Sequence, residues 1–357
     1  MSNIGEYMQG YMPQGSKRAA GAKHILLVYC GYYEKKGSGK LPCGQWTKDT
    51  FRPYVAHLDK SGEPDDFFFD TFLFLALRTP ASGSLHRFYE WVIDSVPGAA
   101  DDWGWIIRRV FEENRQLFAL NEAVAEAKEK LGRPDHKTKV LMMLPFPDSQ
   151  SVRFGIGSRA VPYSLKSTES RNAAVRWYID AFLEAFRKAD LQHLELLGFY
   201  WMQEDVDPGI TGELDNIRFT LDYLHGQGLV LGWTPWWGAE FKADAERFGF
   251  DFSILQPNHY TQEETTYERI REAAQLAAQT GQGIEVELDS AVLSSQKHRE
   301  TFYHYLKGGV AFGYMREAVM AYYQDVHALY ELYHEGGERG RKVYDDIYAF
   351  TKGTYIG

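Results

Sequence analysis

The apolar positions of this 357-residue chain gather into short, nearly continuous runs separated by stretches with helical spacing. The runs cover residues 24–33, 67–77, 139–147, 194–204, 229–237, 252–260, 283–289 and 310–315. Strands buried on both faces read this way, because neither face has to alternate with water-facing residues. Between them, Val175, Tyr178, Ile179, Phe182, Leu183 and Phe186 recur on one helical face, and so do Leu214, Ile217, Leu221 and Leu224 ahead of Gly226 and Gly228. Further helices are predicted over about 103–130, closed by Gly132 and Pro134, and over 264–279, 295–307 and 319–333. Eight strands alternating with helices predict an α/β fold, a single closed (β/α)8 TIM barrel, with long loops after the first and third strands. A Rossmann arrangement is disfavoured, since no strand leads into a Gly-x-Gly-x-x-Gly turn.

The flanks of this pattern set the predicted boundaries. Residues 1–22 lack an apolar run, are rich in Gly and Ser, and read as a flexible leader rather than a signal peptide. Residues 23–335 form the barrel, and 336–357 an extension packed on its outside, because Tyr344, Ile347, Tyr348 and Phe350 need cover. Without a signal sequence or an apolar run of membrane-spanning length, a cytoplasmic protein is expected. Cys30 and Cys43 stand in different contexts, one in a strand and one in a Gly-rich loop, so no disulfide framework is expected.

Charge and composition narrow the partners. A net charge of −10 argues against nucleic acid, whose phosphates need a basic face. The chain holds 23 Tyr, 22 Phe and 9 Trp, most of them needed for the core. A minority would line a carbohydrate site, where flat rings stack on sugars.

In a barrel of this kind the active site forms at the C-terminal ends of the strands. Those ends here offer Tyr32, Asp70, Gln203, Glu204, Trp233, Trp237, Asn258, His259, Tyr260, Glu285 and Glu287. Rings together with carboxylates suit hydrolysis of a glycosidic bond, in which one carboxyl protonates the leaving oxygen and another attacks or activates water. Glu204 ends the fourth strand and is the candidate acid/base. Glu285, Glu287 and Asp289 share one face of the seventh strand, because side chains alternate with period two. Facing a helix layer they would be costly to bury, so the inward direction is expected, and Glu287 lies nearest the mouth. Two alternatives stand beside this: Glu285 as nucleophile, or both glutamates as structural ions paired with Arg or Lys. Asp70, among apolar neighbours, is either hydrogen-bonded low in the barrel or functional.

Of the adjacent Trp236 and Trp237, at most one can stack on a sugar. His259 has no second His at ligand spacing, so no metal is expected, and no cofactor motif is present. Lys35, Lys36, Lys40, Arg153, Arg159 and Lys166 make the loops after strands one and three basic, which fits either an anionic sugar or solvated loops.

The placement of Glu204 and Glu287 resembles the superfamily of retaining barrel glycosidases, with its acid/base after strand four and nucleophile after strand seven. That resemblance implies a sugar contact for Gln203, where an Asn is usual, and a Tyr260 that supports the nucleophile. It covers strands three to eight. Strand eight departs from it, with Tyr314-Met315-Arg316 where a Trp platform is usual. Over nearly the whole chain, the segments Gly198-Phe-Tyr-Trp-Met-Gln-Glu204, Trp233-Thr-Pro-Trp-Trp237, Gln256-Pro-Asn-His-Tyr260 and Gly283-Ile-Glu-Val-Glu-Leu-Asp289 resemble domain-of-unknown-function family 4855. This family resemblance implies a bacterial, glycosidase-like barrel. The expectation is a glycoside hydrolase of retaining mechanism acting on an oligo- or polysaccharide; a catalytically silent carbohydrate-binding barrel is the alternative.

Overall fold

The computed structural model describes residues 10–35, 39–89, 95–158, 160–260, 262 and 264–357. The first nine residues of the predicted leader, with Lys36 and Arg159 of the basic loops, lie outside the described residues. Eight parallel strands form the barrel: β1 His24–Tyr29, β2 Thr71–Leu75, β3 Thr138–Leu144, β4 Leu194–Trp201, β5 Val230–Trp233, β6 Phe252–Leu255, β7 Gly283–Glu287 and β8 Met320–Tyr323. They hydrogen-bond in the order β1-β8-β7-β6-β5-β4-β3-β2 and close. The larger helices are α1 Lys48–Val55, α2 Ala100–Val110, α3 Gln116–Lys130, α4 Thr168–Ala189, α5 Glu213–His225, α6 Tyr267–Thr280, α7 Gln296–Phe312 and α8 Gly337–Thr351. Among the described residues, no helix is long and apolar enough to cross a membrane.

The chain divides into two compact units. One comprises Met1–Leu26, Phe69–Thr71 and Gly232–Gly357, the other Leu27–Phe68 and Phe72–Leu231. In the second, β4 pairs with β3 from Leu194 opposite Thr138 to Trp201 opposite Leu144, with a register shift between Leu196 and Gly198. A Cβ on Gly198 would lie 2.0 Å from the Val230 carbonyl oxygen, so only glycine fits this bulge. The bulge re-aims the end of β4, from Phe199 to the Gln203–Glu204 pair. Helix α4 starts on Ser167, whose hydroxyl accepts the Ser170 N–H at 3.2 Å, and buries Val175, Tyr178, Ile179 and Phe182 along one stripe. The Tyr178 hydroxyl donates to the Met143 carbonyl at 3.2 Å, tying the helix to β3.

In the first unit, β7 lies between β6 and β8. Glu285 and Glu287 stand opposite Ala321 and Tyr323 of β8. Helix α6 turns Ile270, Ala273, Ala274 and Ala277 inward and ends on Gly281, whose φ of 66° closes it. Residues 10–22 are held rather than loose. The Met12 N–H donates to Gln282 O at 3.1 Å, the Val319 N–H donates to Met12 O at 2.8 Å, and Ala19 and Ala22 are buried. Helix α8 buries Val343, Tyr344, Ile347 and Phe350, while Tyr348 stays half-buried.

Four predicted elements are corrected. Residues 310–315 are not the eighth strand: Val310, Ala311 and Phe312 end α7, and a short helix, Tyr314–Glu317, follows. The strand lies at Met320–Tyr323, within the stretch read as the last helix, whose helical part is Ala328–His334. The run 67–77 is two pieces, since Phe67 ends the hairpin strand Pro64–Phe67 and the barrel strand begins at Thr71. The run 24–33 leaves the barrel at Tyr29, and Tyr32 belongs to a hairpin with Gly39–Pro42.

Candidate active site

Glu287 is the last residue of β7 and 1% exposed. Its Oε1 accepts the Asn258 N–H at 2.6 Å, and its Oε2 accepts the Tyr260 N–H at 3.3 Å. Asn258 has a φ of 49°, a left-handed conformation that Asn tolerates, and the bend brings alternate N–H groups onto one carboxylate. The Asn258 side chain fixes that bend, its Oδ1 accepting the Trp237 N–H at 2.7 Å. From α7, the buried Tyr305 hydroxyl donates to Glu287 and accepts the N–H groups of His259 at 3.0 Å and Tyr260 at 3.1 Å. Burial first, and then Glu287, push the Tyr305 hydroxyl well above the usual range.

The hydroxyl on Glu287 therefore comes from Tyr305, not from Tyr260. The Tyr260 hydroxyl donates to Asp289 at 2.6 Å, and its pKa is raised by burial and then by that bond. Tyr305 escaped the sequence reading because it sits on a helix stripe that reads as packing.

Other residues of this unit fall into place around the clamp. His259 is buried, with Nδ1 2.8 Å from Thr265 Oγ1 and Nε2 2.9 Å from His304 Nδ1. Burial, followed by His304 and Arg269, lowers its pKa to about 4, so it is neutral at neutral pH. The second histidine, His304, lies 45 positions away in the sequence, so no short motif announces the pair. Among the described residues, no three His, Cys, Asp or Glu side chains gather as a metal site. Glu285 is buried one layer deeper than Glu287.

Trp233 is 0% exposed and stacks on Phe250 at 5.1 Å, so it belongs to the core rather than to a surface that meets ligand. Trp237 is half-buried beneath the Arg269 guanidinium, 4.5 Å from its ring centroid. Trp236 is the exposed member of the pair, at 37%. Asp70 precedes β2 and accepts the His24 N–H at 2.6 Å, at the N-terminal ends of the strands and not at the mouth.

In the other unit, Glu204 lies half-buried in the turn after β4. Gln203 beside it is buried. Its Oε1 accepts the Arg87 N–H at 3.0 Å and its Nε2 donates to the Tyr89 hydroxyl at 3.3 Å, so it holds the loop after β2. Asp148, following β3, holds the same loop by accepting the Phe88 N–H at 2.6 Å. Tyr32 lies half-buried, 6.0 Å from Trp105, and Arg153 is exposed.

A cleft of about 90 Å³ opens among Arg87, Phe146, Asp148, Trp201 and Glu213. Glu213 starts α5 from Gly212, whose φ is 78°; a Cβ there would lie 2.2 Å from Thr168 Oγ1. The Glu213 carboxyl is 3% exposed and pairs through Oε2 with Arg87 Nη2 at 2.7 Å. Arg87 and the Asp207 N–H pull its pKa down, yet burial is the largest effect and raises it to about 7, with Asp207 and Asp205 adding to the rise. Trp201 was visible only as part of an apolar run, and Glu213 as an ordinary acid in a helix's first turn.

The family described as Domain of unknown function (DUF4855) matches residues 24–349. The chain belongs to that family. No curated protein matches it. Among solved structures, it is similar to the tryptophan synthase subunit alpha from Legionella pneumophila, at 9% identity and a TM-score of 0.40. That likeness covers 96% of this chain and 98% of the other. A mutant tryptophan synthase alpha-subunit from the hyperthermophile Pyrococcus furiosus is similar at 11% identity and a TM-score of 0.39, covering 96% and 99%.

Proposed function

We propose that this DUF4855 chain is an O-glycosyl hydrolase of retaining mechanism, with Glu287 as nucleophile and Glu204 as acid/base. Glu287 attacks the anomeric carbon while Glu204 gives its proton to the departing glycosidic oxygen, leaving a glycosyl ester on Glu287. Glu204 then takes a proton from water, the water oxygen bonds to the anomeric carbon, and the ester bond breaks. The observation that carries the reading is the clamp on Glu287, a buried carboxylate at a strand's C-terminal end oriented by two N–H donors and one hydroxyl. Charge-assisted donors of this kind fix a carboxylate's position, and an ionised carboxylate with about four lone-pair sites keeps capacity beyond them. The assignment of Glu204 rests on its place in the turn that follows β4.

The test is hydrolysis of neutral and uronic oligosaccharides by wild type, Glu204→Gln and Glu287→Gln. Cleavage by wild type, with losses of about a thousandfold or more in both variants, is expected. Variants that keep wild-type turnover sink the pair. The competing reading, a sugar-binding barrel without turnover, has one observation in its favour. Both Glu287 oxygens are occupied by backbone donors and the residue is almost fully covered. Binding without any cleavage selects it.

A further inference from the structure

The cleft at the ends of β3 and β4 contains two buried polar atoms that find no partner among the described residues. They are Oε1 of Glu213 and Nε1 of Trp201. Trp201 is 1% exposed and Glu213 3%, so neither is left to bulk water, and buried polar groups are normally satisfied. One is an acceptor and the other a donor. A hydroxyl is the simple group that does both, accepting from an indole N–H while donating to a carboxyl oxygen. Beside them the Phe146 ring lines the cleft, its centroid 6.0 Å from that of the buried Trp201 and its plane near perpendicular. The cleft holds a cavity of about 90 Å³ that opens to solvent.

We propose that this cleft is a subsite for one uncharged, hydroxyl-bearing sugar ring, which bridges Trp201 Nε1–H and Glu213 Oε1. Charge disfavours an anionic ring. Arg171 lines the cleft but spends all its donors on protein. Its Nε bonds Asn216 Oδ1, its Nη1 the Leu165 and Lys166 carbonyls, and its Nη2 Thr168 Oγ1 and the Thr211 carbonyl. Arg87 is paired with Glu213. A carboxylate-bearing sugar would bring its charge beside Asp148, with the Arg171 donors spent and Arg87 already turned to Glu213. The inference rests on the proposed function only for the class of ligand, and it does not use the Glu204 and Glu287 assignments.

The experiment is calorimetric titration of the full chain, and of its Trp201→Phe and Glu213→Gln variants, with neutral gluco-, galacto-, manno- and xylo-tetrasaccharides and with tetragalacturonate. Turnover is followed in the same samples. At least one neutral tetrasaccharide binds wild type, tetragalacturonate binds about tenfold more weakly or not at all, and each variant loses about tenfold in affinity. Phenylalanine keeps the ring and removes only the N–H, so Trp201→Phe decides the matter alone if Glu213→Gln does not fold. Tighter binding of tetragalacturonate, wild-type affinity in Trp201→Phe, or no binding of any neutral sugar overturns the subsite; the last result leaves a site for ordered water only. Binding without turnover fails the hydrolase and keeps the subsite. Turnover with KM unchanged in both variants does the reverse.

Discussion

Two buried glutamates in this molecule are treated in opposite ways. Glu287 ends β7 with both oxygens accepting backbone N–H groups and a tyrosine hydroxyl added to them. Glu213 starts α5 with Oε2 on Arg87, the Asp207 N–H acting on the same carboxyl, and Oε1 with no hydrogen-bond partner among the described residues. Burial alone favours the neutral acid, and each donor or cation works against it. At Glu213 burial prevails over Arg87, and the pKa rises to about 7. The first arrangement fixes a carboxylate in place, while the second leaves a group that can exchange a proton or a ligand. The number of donors, more than depth, separates a clamp from a responsive site.

Removing the Glu287 charge should have the largest effect. Glu287→Gln presents an NH2 group to one of two N–H donors, and it should cost roughly 2–4 kcal/mol in urea denaturation besides abolishing turnover. A variant as stable as wild type would show that the clamp contributes nothing.

The second prediction concerns pH. Glu213 in the folded protein titrates near 7, above the 4.5 of an unperturbed glutamate. Between these values the unfolded chain gives up its proton while the folded chain keeps it. The folded state then binds more protons, so stability falls as pH rises from about 4.5 to about 7 and levels beyond. The fall attributable to this group is at most roughly 3 kcal/mol. Denaturation of wild type and Glu213→Gln should give curves that differ in slope within that window and run parallel below and above it. Parallel curves throughout would contradict the assignment.

Tyr305→Phe comes next. It removes a donor from Glu287 and the acceptor shared by the His259 and Tyr260 N–H groups, for about 1–3 kcal/mol. Tyr260→Phe should cost less, about 1 kcal/mol, because it breaks one bond to Asp289 and leaves the clamp intact. Equal effects of the two substitutions would return the supporting role to Tyr260.

The sequence was most legible where burial on both faces writes a long apolar run, as in β4 and β7, and where a carboxylate interrupts one. It was least legible where a run was short. Val310 to Met315 has no period to separate strand from helix. The true strand, Met320–Tyr323, has only four residues. Glu287 was readable as a strand-end acid, but its partners were not. Two of them are backbone N–H groups that any residue carries, and the third, Tyr305, comes from a helix whose buried face looks like packing. The Glu213 cleft left no trace for a different reason. It depends on the left-handed Gly212, the spent donors of Arg171 and a bulge at Gly198, which are tertiary facts.

The most direct test of the proposed chemistry is intact-protein and peptide mass spectrometry after reaction with a panel of 2-fluoro glycosides, which slow release of the covalent intermediate. The account predicts one glycosyl unit per chain, esterified to Glu287 and absent from Glu287→Gln. An adduct on another carboxylate, or hydrolysis of the parent sugar without any adduct, would contradict it.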